Sequence, residues 1–179
     1  MFCAFINVLT GSNQEILALN NTDQAKFVAS YFTNEIRNAS VGIDGSFQIT
    51  TANENQIIFY SKSALPGSTV NRINYYLTGN ILYKGVTVPS GNPQTYNLAN
   101  EYKVIVQRDV VNAGVPIFTY YDGNHDGTTN PLSQPVNVNA IKFVAMNLKV
   151  LKQTKAQATD TFSVSAGATI RNLKNNLGN

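Results

Sequence analysis

The strongest constraint on this chain is a change of period at about residue 45. From Ser12 to Ala39 the apolar residues recur at helical spacing, whereas after Gly45 they alternate with period two. The segments SFQITTA, QIIFYS, VNRINYYL, NILYKGVTV, EYKVIVQRDVV, VPIFTYY, IKFVAMNLKVLK and DTFSVSA are rich in β-branched and aromatic residues. Most of the breaks between them contain Gly, Pro, Asn or Asp. Seven or eight strands therefore follow one helix. No second long helical segment separates them, which excludes parallel βαβ crossovers. The expected architecture is α+β, a long N-terminal helix packed on an antiparallel β-sheet. At 179 residues the chain suits one domain, with a helix spine over residues 1–40 and a β-rich part over 41–179.

The helical segment carries more apolar surface than one sheet needs. Ser12 and Glu15 stand at capping-box spacing and the next turn signal is VGIDGS at 41–46, so the helix is expected to run about 28 residues, roughly 42 Å. Steps of 100° place Leu17, Ala25, Val28, Ala29, Phe32, Ile36 and Ala39 on one face, with Phe27 and Tyr31 on its shoulder. Leu17, Val28, Phe32 and Ile36 are the expected core-facing residues. The apolar arc is about 200° wide, against a stripe of about 100° for a helix lying on one core. Phe27 and Tyr31 are therefore either covered by a loop or sheet edge, or meet a partner.

Chemistry is sparse. His125 is the only histidine, so a Ser–His or Cys–His arrangement would have to use it, and it sits in an expected loop. Ser-x-x-Lys, Gly-x-Ser-x-Gly and the phosphate-cradling Gly-x-x-x-x-Gly-Lys do not occur. The chain is not expected to be an enzyme. Cys3 is the single cysteine, which excludes an internal disulfide and a cysteine metal cluster. A scattered net charge of +3 gives no nucleic-acid footprint. One motif could bind an ion. DGNHDG at 122–127 fits D-x-[DN]-x-[DN]-G, with Asp122, Asn124, Asp126 and the Thr128 carbonyl as candidate calcium ligands. Ser133 stands where that loop pattern has a bidentate Glu, and a plain polar hairpin loop uses the same residues.

The order LALNNTDQAKFVASYFTNEIRNAS, GSFQIT, QIIFY, INYYLTGNILYK, PIFTYYD, IKFVAMNLKV and IRNLK resembles bacterial minor pilins and pseudopilins, nearest the J-type pseudopilin and W-type minor pilin group. The resemblance implies a pilin-like fold and a non-enzymatic subunit of a type IV pilus or type II secretion pseudopilus. Its partners would be other pilin or pseudopilin subunits. Its place would be the cell envelope or cell surface, with the inner membrane as anchor before assembly. It also implies that one helix face packs on the sheet while the shoulder at Phe27 and Tyr31 meets neighbouring helices. The family's basic leader, Gly-Phe junction and full apolar helix are not in the sequence; MFCAFINVLTG resembles the last turns of that helix. Met1 is accordingly expected to be an internal methionine or a truncation point, with the membrane span encoded upstream. The alternative is a soluble binding or adhesion module, stabilised by calcium at the 122–128 loop.

Overall fold

The computed structural model describes residues 21–62, 69–152 and 160–171. Helix α1 spans Asn21–Arg37, with Asp23 in its first turn and Arg37 in its last, a charge order that complements the helix dipole. Its final turn tightens through bonds from the Asn38 and Ala39 amides to the Glu35 and Ile36 carbonyls, and the Asn38 side chain donates to the Asn34 carbonyl. The chain then reverses at Gly42–Ser46. Gly45 at φ +85° occupies the left-handed region that a side chain would disfavour.

Five strands follow as a meander: β1 (Ile49–Asn53), β2 (Gln56–Lys62), β3 (Val70–Thr78), β4 (Ile81–Thr87) and β5 (Tyr102–Gln107). Every neighbouring pair is antiparallel. Gly79 at φ +59° supplies the positive φ that the two-residue turn between β3 and β4 requires. A second, three-stranded sheet contains β6 (Phe118–Tyr121), β7 (Phe143–Leu151) and β8 (Thr161–Thr169), in the order β6-β7-β8. All eight period-two segments thus form strands.

The expected architecture, one long helix laid on one antiparallel sheet in a pilin-like α+β fold, is overturned. The chain is mostly β, with two antiparallel sheets and, among the described residues, one α-helix of 17 residues. The physical reason lies in the segment after β5. There Asp109, Ala113 and Gly114 take positive φ, and the backbone leaves the first sheet to run along β7. Val110 bridges Val150, and the Val111 amide donates to the Lys149 carbonyl. Asn112 locks the crossing, donating to the Asn147 carbonyl and accepting from the Lys149 amide, each at 2.8 Å. The Ser12–Asn20 part of the expected helix lies outside the described residues, as does Leu17.

The helix lies between the two sheets. Ala25 and Ala29 permit close approach to β7 and β8, whose inward residues include Met146, Leu148, Ala166 and Ala168. Val28, Phe32 and Ile36 are buried in the same core, which draws on the helix and both sheets. Phe32 is its centre, with ring centroids 6.1 Å from Phe59, 5.4 Å from Tyr75 and 5.6 Å from Phe118. Two of those rings belong to the first sheet and the third to the second.

Candidate functional site

The flank of α1 beside the first sheet carries the molecule's most unusual chemistry. Phe27 remains 41% exposed on the helix surface, and its ring stacks on half-buried Tyr31 at 5.9 Å and 16°. Four-residue spacing brings the two rings one above the other. Beneath Tyr31 lies Lys84 Nζ, 4.4 Å from the ring centroid. A cation against an aromatic face is attracted to its negative quadrupole.

Lys84 reaches that place from inside the sheet. In β4 it falls between the inward Leu82 and Val86, so alternation points its side chain toward the helix rather than to water. Burying an ammonium there requires a counter-charge. Glu35, on the inner face of α1, supplies it: Oε1 lies 2.6 Å from Lys84 Nζ, and both side chains are almost wholly buried. Oε2 accepts a 2.7 Å bond from the Tyr75 hydroxyl, and the Glu35 carbonyl accepts from Ser61 Oγ. Burial, then the adjacent Glu35 carboxylate, pushes the Tyr75 phenol well above its ordinary pKa. The hydroxyl therefore stays a donor. An outer aromatic pair is thus fixed to the core through a continuous polar chain, Tyr31–Lys84–Glu35–Tyr75.

Sequence reasoning marked Phe27 and Tyr31 but missed Glu35, Lys84 and Tyr75. A signal was present for two of the three: Glu35 lies seven residues after Val28 on the apolar face, and Lys84 occupies an inward position of an alternating strand.

The loop after β6 brings Asp122, Asn124, Asp126 and Thr128 together through side-chain bonds to its own backbone. Asp122 Oδ1 accepts the Asn124 amide, and Asp126 Oδ1 accepts the Thr128 amide, the Thr128 hydroxyl and the Thr129 amide. The Thr128 amide, first among these donors, holds the Asp126 carboxyl below its usual pKa. These bonds fix the loop backbone and are made to Asp122 Oδ1 and Asp126 Oδ1, with a longer 3.4 Å contact from Asn124 Nδ2 to Asp122 Oδ2. Among the described residues, no group of three or more His, Cys, Asp or Glu is arranged to hold a metal. His125 packs on Tyr121 at 3.9 Å, with Nδ1 2.7 Å from Thr129 Oγ1.

A depression of about 690 Å³, wide open to solvent, lies by the β1–β2 turn and the end of β3. Its lining includes one carboxylate, Glu54, and no histidine, cysteine or lysine. Among the described residues no helix is long and apolar enough to cross a membrane. Comparison with family models and with curated proteins returns no match.

Proposed function

We propose that this chain is a non-enzymatic assembly subunit of the minor pilin or pseudopilin kind. In this reading it joins a type IV pilus or type II secretion pseudopilus at the cell envelope, and the Phe27–Tyr31 flank of α1 receives an apolar helix of a neighbouring subunit. The observation that carries the reading is the exposed aromatic stack held in place by a buried ion pair. A pre-set aromatic surface loses little side-chain freedom on docking, and aromatic anchors dominate interface energetics. The resemblance of the sequence segments to minor pilins and pseudopilins suggests the same class of partner, although the single-sheet fold it implied is not the one observed.

Phe27→Ser tests the proposal with little change to the fold, because the side chain is partly solvated already. Tyr31 is less suitable, since its removal also uncovers Lys84. Phe27→Ser is expected to keep the melting temperature within a few degrees of wild type while incorporation into filaments falls at least tenfold. Normal incorporation of a folded Phe27→Ser protein would refute the docking role.

A further inference from the structure

A sheet edge is a row of unpaired amides and carbonyls, and folded proteins blunt such edges with charge, proline, bulges or shortness. Three of the four edge strands here are blunted. Strand β1 is five residues long and shifts register between Ile49 and Thr51. Strand β5 carries Lys103 and is paired to β4 across a register shift. Strand β6 is only four residues long. Strand β8 has none of these devices: its nine residues, TFSVSAGAT, contain no charge and no proline, and they pair with β7 in unbroken register. Among the described residues nothing pairs with its other edge.

Burial also thins along this strand, where Lys26 Nζ lies over the Phe162 ring at 5.4 Å. Phe162 and Val164 point inward but are only partly buried, whereas their β7 partners Val150 and Leu148 are fully covered. Side-chain size falls along the inward face of β8, from Phe162 and Val164 to Ala166 and Ala168. An antiparallel copy reverses that order, so a two-fold axis at Ser165 sets Phe162 opposite Ala168 and Val164 opposite Ala166 of the second copy. On the outward face Ser163 meets Gly167, and no like charges oppose one another within the strand.

We propose that β8 is a self-docking edge through which two copies of this chain pair antiparallel about Ser165, merging their three-stranded sheets into one. The contact is isologous and closes at two subunits. It is separate from the Phe27 flank and does not depend on the filament reading.

Sedimentation of the full chain tests this. Wild type is expected to form a reversible dimer, and Ser165→Lys to sediment as a monomer at the same concentrations, because two lysines would meet at the axis. Ser165 is exposed and its main side-chain contact is a bond to Asn147 Oδ1, so the variant should retain its melting temperature within a few degrees. Ser165→Glu should likewise be monomeric, and an equimolar mixture of the two variants should regain the dimer. Hydrogen exchange on wild type should show β8 amides slowing as concentration rises, a readout independent of any variant. A wild type that stays monomeric into the high micromolar range would overturn the proposal. So would open-ended oligomers, a dimer that survives Ser165→Lys, or a mixture of folded variants that stays monomeric.

Discussion

Glu35→Ala is expected to destabilise the protein by about 3–5 kcal/mol, as breaking a buried ion pair from one side generally does. The loss arises less from the missing attraction than from what stays behind. Lys84 keeps a desolvated charge without its paired carboxylate, and the Tyr75 hydroxyl loses its acceptor. Against a typical domain stability of roughly 5–15 kcal/mol, that is a large fraction. The combined replacement Glu35→Leu, Lys84→Met and Tyr75→Phe should behave differently: with no charge left to desolvate and no hydroxyl left without its acceptor, it is expected to lie near wild type or above it. Urea unfolding of the single and combined variants measures the difference, and strong non-additivity among the positions is the expected result. If the combined variant is as unstable as Glu35→Ala, packing rather than charge governs the site. The Tyr31 ring should also lose its fixed position in the combined variant, because the ammonium beneath it is gone.

Phe32→Ala is expected to cost about 3–5 kcal/mol, the range for emptying a buried aromatic site. The upper part of that range applies here because Phe32 is completely buried and its ring touches aromatic rings from both sheets. Neither sheet can close the cavity without shifting against the other. Calorimetry should show the melting temperature falling by about 10 °C or more. A fall of only a few degrees would mean that the helix is not the element holding the sheets together.

Much of this arrangement was legible in the sequence, and the limits of that legibility have physical causes. The alternation in MNLKV fixes that Met146, Leu148 and Val150 face inward, and the four-residue spacing of Val28, Phe32 and Ile36 fixes the buried side of α1. Alternation does not say which strands share a sheet. The crossing after β5 depends on the backbone signs of Asp109 and Ala113 and on the Asn112 bonds, and none of these differs in composition from an ordinary turn. A single sheet was therefore expected where two enclose the helix. The buried pair was half visible, since Lys84 breaks the apolar inward row of β4, but its partner is 49 residues away on another element and no local pattern links them. At the 122–128 loop the residue types are turn-forming and oxygen-rich, but how those oxygens are used depends on the backbone path, which turns Asp126 Oδ1 onto the amides of Thr128 and Thr129.

The central claim, that the exposed flank of α1 receives a neighbouring subunit, is tested most directly by a photoreactive benzoyl-phenylalanine at position 27 in cells that build the filament. Position 27 lies on the aromatic flank, and Lys26, exposed on the other side of the helix, is the control. The account predicts that irradiation joins position 27, and not position 26, to a prepilin-type subunit, with the adduct mapping by mass spectrometry to that subunit's apolar helix. Adducts confined to this chain's own residues, or equal capture of the same subunit from both positions, would contradict it.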